Sequence, residues 1–176
     1  MGNMTTQQDH AATTPQLGRY EIDAGHSAVT FRTRHLFGLA PVRGTLAIRG
    51  GTVDVTEPLA GSAVHAEIDT ASFRTGYRPR DHSVRSPRFL NAARYPVMVF
   101  SSEQVDAGDQ VLTGTLTVGD VSQPVSLSIV HYAPSAGSFT ARATACIDRT
   151  EYGVTAARGL AARYLDITVE VRCVRR

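Results

Sequence analysis

The sequence predicts an all-β fold of about eight antiparallel strands. Apolar and polar residues alternate with a period of two in about eight segments, which is the pattern of strands with one buried and one solvated face. Most connections between these segments are short, and several contain glycine. Eight such strands form either a sandwich or a closed barrel, and the pattern alone leaves both open.

The second predicted strand shows the alternation most clearly, because Val42, Leu46 and Ile48 share one face of it. Gly50 and Gly51 follow, and this pair predicts a turn. In chain order the predicted strands cover residues 28–35, 42–49, 62–70, 97–105, 111–118, 125–130, 138–147 and 164–174.

One segment interrupts the strand pattern. Residues 75–95 are rich in charged and turn-forming residues and contain Pro79 and Pro87. This composition predicts an irregular insertion with one or two short helical turns, for which Asp81 or Ser83 is the expected N-cap.

The chain is expected to form one domain over residues 19–176, preceded by a disordered tail over residues 1–18. The tail is polar and is not followed by an apolar stretch of signal-peptide length, so a cytoplasmic location is expected. No run of 18 apolar residues occurs in the sequence, which argues against a membrane-spanning helix.

The faces predicted to point inward contain many small residues. An eight-stranded barrel is just wide enough either to be filled by side chains or to hold one small ligand, and small inward residues favour the ligand. A flattened sandwich is the alternative, in which the same residues let two sheets approach. The small residues concerned are Gly44, Ala66, Gly114, Ala141, Ala143 and Ala145.

Charge and motifs exclude several classes of function. The formal net charge is only +2, and the 18 basic residues, all arginine, are scattered along the sequence. The sequence therefore lacks the basic stripe that is typical of nucleic-acid-binding domains. No nucleophile or phosphate-loop motif occurs, and His65, Glu67 and Asp69 are expected on a solvated strand face rather than around a metal. Cys146 and Cys173 match no metal or redox spacing, and two buried, reduced thiols are predicted.

A dense charged cluster lies in the predicted insertion. Its arginines have the planar donor geometry that suits a phosphate group. The alternative is that Arg80 and Asp81 pair locally and the other side chains are solvated. The cluster consists of Arg74, Arg78, Arg80, Asp81, His82, Arg85 and Arg88.

Several motifs resemble the YceI-like polyisoprenoid-binding family. Residues 20–27, which read Tyr-Glu-Ile-Asp-Ala-Gly-His-Ser, are similar to the opening of that family, and the resemblance extends in order to residue 173. The chain departs from the family pattern at Tyr77 and Ser83, where the family usually has Asn and His. Further matching pieces are Thr75-Gly76, Arg80-Asp81, Arg85-Ser86-Pro87, Tyr95-Pro96, Gly114-Thr115-Leu116-Thr117-Val118 and Asp148-Arg149.

The resemblance implies a bacterial, lipocalin-like, extended eight-stranded antiparallel barrel that holds an isoprenoid lipid without covalent chemistry. It also implies a possible homodimer, and it implies neither a cofactor nor a metal. Arg80, His82 and Arg85 are the expected contacts of a polar head group. The expected lumen lining is Val29, Phe31, Leu46, Ile48, Val64, Ile68, Leu116, Leu127, Phe139, Ile167 and Val169.

Two alternatives remain open at this point. One is a small-barrel enzyme that acts on an apolar substrate, which needs an acid or base inside the lumen. Asp148 and Arg142 lie on the outward parity of their predicted strand, which argues against them unless a bulge redirects Asp148. The other is a stress or interaction protein whose barrel is filled by its own side chains.

Overall fold

The computed structural model describes residues 15–35 and 39–176, and it contains one antiparallel sheet closed into a barrel. Residues 1–14, most of the predicted tail, lie outside the described residues. The strands are β1 Gly18–Ile22, β2 Ala28–His35, β3 Ala40–Val55, β4 Ala63–Asp69, β5 Val97–Asp106, β6 Val111–Val118, β7 Val121–Ser135, β8 Ser138–Asp148 and β9 Tyr164–Arg175.

Closure of the sheet gives the barrel eight strand positions. The strand order is β1-β3-β2-β9-β8-β7-β6-β5-β4, and β3 pairs with β4 to close it. Both β1 and β2 pair with β3 on one side and with β9 on the other, so together they fill a single position. A 3₁₀ turn at Ala24–His26 separates them, and the Asp23 carboxylate caps it by accepting from the Gly25 N–H at 3.1 Å. The predicted eight-stranded antiparallel barrel is therefore confirmed.

Antiparallel pairing gives the barrel two distinct ends. The helix end carries the β2–β3 connection, the insertion over residues 70–96 and the segment over residues 149–163. The terminal end carries the start of β1, the end of β9 and the connections at residues 56–62 and 107–110. In the described part of the chain the one α-helix, α1 (Arg78–Arg85), belongs to the insertion.

The predicted turn at Gly50 and Gly51 is wrong. β3 continues through both glycines to Val55, with a shift of register against β4 between Ile48 and Gly50. A Cβ atom at Gly51 would lie 2.1 Å from the carbonyl oxygen of His65 on β4. Glycine is therefore required here because two backbones approach each other closely at a bulge. From the sequence alone, a glycine pair at a bulge looks the same as a glycine pair at a turn.

The first strand is missing from the sequence prediction. β1 is short, yet Tyr20 and Ile22 are almost fully buried. The Tyr20 ring packs edge-on against Phe139 at a centroid distance of 5.0 Å. Five residues are too few for alternation to stand out, and β1 is stabilised instead by its pairing with β3 and β9.

The insertion forms the predicted short helix, with a different cap from the one expected. Tyr77 occupies the N-cap position and makes no side-chain cap hydrogen bond. Asp81 lies inside the first turn and accepts from the backbone N–H of Thr75 at 2.9 Å and from its hydroxyl at 2.6 Å. Burial alone would raise the pKa of Asp81, but these hydrogen bonds outweigh it and hold the pKa below its usual value.

The two cysteines differ in environment. Cys173 is completely buried near the terminal end, and burial raises the pKa of its thiol to about 12. Cys146 is exposed, so the prediction of two buried thiols is wrong for this residue. The alternation of β8 explains the difference, because Ala145 and Ile147 take the inward positions on either side of Cys146.

Candidate functional site

The barrel encloses a cavity of about 840 Å³ that every strand helps to line. Its wall is overwhelmingly apolar, formed by the inward residues of the alternating strands. On β3 the lining residues extend from Val42 to Val55, which corresponds to roughly 40 Å of strand path at about 3.3 Å per residue. The cavity is therefore long, and it suits an extended apolar molecule.

The structure places all eleven residues predicted to face the lumen in the wall of this cavity. The alternation of Val29 with Thr30, or of Leu116 with Thr117, is enough to assign the inward face of an antiparallel strand. Contact of these residues with a ligand stays a prediction. The eleven are Val29, Phe31, Leu46, Ile48, Val64, Ile68, Leu116, Leu127, Phe139, Ile167 and Val169.

The small inward residues play two different roles. Ala141, Ala143 and Ala145 line the cavity and leave room beside β8. Gly44 and Gly114 instead make space for phenyl rings of the wall. A Cβ atom at Gly44 would lie 2.2 Å from Cζ of Phe31, and one at Gly114 would lie 2.6 Å from Cζ of Phe100. The rings cover these glycines from neighbouring strands.

Arginines enter the cavity wall only at the helix end among the described residues. Arg34, Arg80 and Arg149 line the cavity there, beside Phe89 and Leu90 of the insertion. An apolar tunnel with guanidinium groups at one end can hold an amphipathic molecule in one orientation. Of these three arginines, the sequence predicts a role only for Arg80, and the family-like Asp148-Arg149 pair is the signal available for Arg149.

Arg149 connects the segment that follows it to the barrel end. Its Nε and Nη1 each donate at 2.8 Å, to the carbonyl oxygens of Ala162 and Val154, and its Nη2 donates to Ala161 at 3.2 Å. The guanidinium carbon lies 5.9 Å from the Phe89 ring centroid. Burial lowers the pKa of Arg149, although the side chain stays charged at any ordinary pH.

Only one of the three predicted head-group residues reaches the cavity. Arg80 lines it, donates from Nε to the Thr75 hydroxyl at 2.9 Å and lies over the Tyr77 ring. Arg85 donates from both Nε and Nη2 to the carbonyl oxygen of Phe73, which ties the helix to the loop before it. His82 is exposed on α1 and, like Arg85, is not among the lining residues. The head-group role of all three residues stays a prediction.

The strongest ion pair at the helix end lies outside the cavity wall. Arg163 donates from Nε and Nη2 to the same oxygen of the buried Asp148, at 2.7 and 2.6 Å. The other oxygen accepts from the N–H and the hydroxyl of Thr150. The hydrogen bond from Arg163 is the main cause that lowers the pKa of Asp148 to about 2, and those from Thr150 add to it. This carboxylate closes a turn and has no free lone pair directed at the lumen.

The carboxylate and imidazole groups of the wall lie at the terminal end. Asp106 and His131 line the cavity there, and both are exposed. Among the described residues, no three His, Cys, Asp or Glu side chains are grouped closely enough to hold a metal ion. Within residues 15–35 and 39–176, no helix has the length and apolar character needed to cross a membrane.

The model of the YceI-like domain family matches residues 20–174, nearly the whole described barrel. The chain belongs to this family. It is 39% identical over 113 residues to the YceI protein of Escherichia coli O17:K52:H18, a match that covers 61% of the chain and 59% of that protein. It is 30% identical over 166 residues to a UPF0312 protein of Pectobacterium atrosepticum, covering 89% of the chain and 85% of that protein.

Solved structures share the YceI-like barrel. BcnA of Burkholderia cenocepacia aligns with a TM-score of 0.73 at 21% identity, covering 86% of the chain and 98% of BcnA. A polyisoprenoid binding domain from Saccharophagus degradans aligns with a TM-score of 0.67 at 16% identity, covering 92% of the chain and all of that domain. At these identities the likeness establishes the fold.

Proposed function

We propose that this protein binds a long-chain isoprenoid lipid non-covalently in the barrel lumen, for storage or transport. The observation that carries the proposal is the long apolar cavity of about 840 Å³ with arginines at one end. Its volume lies near the upper limit of about 300–1,000 Å³ that is typical of small-molecule sites. The binding of polyisoprenoid by the S. degradans domain, which has the same fold, supports this ligand class.

Burial of hydrocarbon supplies the affinity. Each methylene-sized group removed from water contributes about 0.8 kcal/mol, while the realised gain for large ligands is about 0.3 kcal/mol per atom. A wall of Val, Leu, Ile, Phe and Ala side chains makes no directional demand on such a ligand. The lumen therefore selects for length and thickness more than for the identity of the chain.

The head group is expected at the helix end, with Arg80 as its contact. Polyprenyl phosphate, polyprenol and isoprenoid quinone all have an apolar chain and a polar head that a guanidinium can meet. Since a charge-assisted hydrogen bond contributes about 1.5–3 kcal/mol, Arg80→Ala is expected to weaken binding of a prenyl phosphate about 10- to 100-fold. Arg78→Ala, on the exposed side of the same helix, is the matched control and should bind as the wild type does.

The cavity and its lining argue against the two alternatives. A barrel filled by its own side chains has no space of this size. An enzyme acting on an apolar substrate needs a suitable acid or base in the wall, whereas Asp106 and His131 are exposed at the terminal end. Burial raises the pKa of the wall residues Tyr132 and Tyr152, so neither hydroxyl is a base at neutral pH. The homodimer and the cytoplasmic location stay predictions, which sedimentation and cell fractionation test.

Mass spectrometry of an organic extract tests the main proposal. The protein is purified from its native host, and a denatured and washed sample of the same preparation is the control. A stoichiometric prenyl lipid in the native extract alone supports the proposal and names the ligand. A clean extract, together with failure of added polyprenols to bind, would refute it.

A further inference from the structure

The helix end exposes large apolar side chains on three different segments. Leu39 of the β2–β3 connection is 83% exposed, and Tyr77 at the start of α1 is 58% exposed. Leu160 and Tyr164, at the end of the 149–163 segment and the start of β9, are also about half exposed. Large apolar side chains grouped at one end of a molecule are typical of an interaction surface.

Backbone hydrogen bonds hold these segments together as one surface. The insertion is joined to β3 by the pair of bonds between Thr45 and Arg74, at 2.8 and 3.0 Å. The 149–163 segment is joined to β2 by the bond from the Ala162 N–H to the Arg34 carbonyl, at 3.1 Å. These two segments and Leu39, the residue before β3, together form the rim at the cavity's arginine-bearing end.

The same rim is strongly basic. Residues 70–96 contain six arginines and one acidic residue, Asp81, which is buried. Residues 149–163 add three arginines and one glutamate. At the terminal end, the connections at residues 56–62 and 107–110 contain one acidic residue each and no arginine. The start of β1 and the end of β9 add Arg19, Arg175 and Arg176 there, but Arg19 is paired with Asp54 and Arg176 with Glu21. A chain whose formal net charge is only +2 thus concentrates positive charge at one end.

Apolar and basic side chains are also paired directly at this rim. The guanidinium carbon of Arg80 lies 5.4 Å from the Tyr77 ring centroid, and that of Arg163 lies 5.2 Å from the Tyr164 ring centroid. Tyrosine and arginine are both amphipathic, with an apolar body and a polar tip. Such side chains are favoured at the boundary between lipid head groups and water.

We propose that the helix end docks on the surface of an anionic lipid bilayer, with Leu39, Tyr77 and Leu160 entering the head-group region. The biological use of this docking rests on the proposed function, because it brings the arginine-bearing end of the cavity next to the lipid surface. An anionic lipid surface attracts clustered arginines. Separate apolar side chains among these arginines fit the head-group region of a bilayer better than they fit the flat surface of a protein partner.

Vesicle flotation of the full chain measures docking whether or not the lumen holds a ligand. Vesicles of phosphatidylcholine alone are compared with vesicles containing about a third phosphatidylglycerol, at low and high salt. The wild type should bind the anionic vesicles at least tenfold better, and salt should weaken that binding. Binding to neither vesicle, or equal binding to both, would overturn the proposal.

Matched variants locate the docking surface. Leu39→Ser combined with Leu160→Ser, and separately Arg78→Gln combined with Arg88→Gln, should each reduce binding at least tenfold. Leu17→Ser, which changes an apolar residue at the terminal end that is about as exposed as Leu160, should have no effect. Equal losses in the control and the rim variants would contradict the assignment of the surface.

Two further measurements distinguish membrane docking from dimer formation and from lipid binding in the lumen. Sedimentation of the wild type without vesicles tests whether the rim is a dimer interface instead. A dimer that Leu39→Ser dissociates would overturn membrane docking, because a second copy of the chain would then occupy the rim. Extraction of the same preparations reports the lumen ligand independently. If the wild type carries a prenyl lipid but does not bind anionic vesicles, docking alone is overturned. If the wild type binds these vesicles with an empty lumen, docking is supported and the ligand assignment is overturned.

Discussion

Filling the lumen at the middle of β8 is expected to abolish most of the lipid affinity. Ala143 lines the cavity and pairs with Val169 on β9, so a phenylalanine there has only the lumen to enter. If the ring excludes about two isoprene units, roughly ten carbon atoms lose their contacts. At about 0.3 kcal/mol per atom the loss is ~3 kcal/mol, which corresponds to a dissociation constant about 100-fold higher.

The assay is titration of a labelled polyprenol with the Ala143→Phe variant, beside Thr140→Phe as control. Thr140 lies on the outward face of the same strand and is exposed, so its variant adds the same ring outside the barrel. Ala143→Leu adds a smaller side chain and should lose less affinity, which preserves the test if the phenylalanine variant folds poorly. Circular dichroism checks that the sheet is intact. Equal affinities of the inward and outward variants would refute a lumen-bound ligand.

The remaining predictions concern stability. Gly44→Ala should destabilise the fold by about 1–3 kcal/mol in urea unfolding, because the new Cβ overlaps a phenyl ring, whereas Gly50→Ala, with open space around it, should not. Asp148 has a folded pKa of about 2, below its value in an unfolded chain, so it contributes stability that is present above pH 4 and lost as the pH falls toward 2. Asp148→Asn should flatten that part of the stability curve, and an unchanged curve would contradict the role of this ion pair. Arg149→Met should speed hydrogen exchange in the segment that follows it more than Arg158→Met does, because only Arg149 donates to three carbonyl groups there.

Several corrections to the sequence prediction share one physical origin. The sequence predicts that the inward Gly44 and Gly114 leave room for a ligand. The packing of Phe31 and Phe100 shows instead that a phenyl ring fills the space beside each glycine. The donors of Arg85 are used by a backbone carbonyl, which a linear sequence cannot display. These errors concern contacts between residues that are apart in the chain, whereas the exposure of Cys146 follows from the local alternation of β8.

By itself, the sequence determined the fold class and the inward faces of the strands. Alternation with a period of two is a local property, and one buried face of an antiparallel strand follows directly from it. This is why all eleven predicted lining residues lie in the cavity wall. The tertiary structure alone decided that β1 and β2 share one strand position and that Arg34, Arg80 and Arg149 meet at one end. Those outcomes depend on how the sheet closes and on which loops cover its ends, and both are set by contacts between residues far apart in the chain.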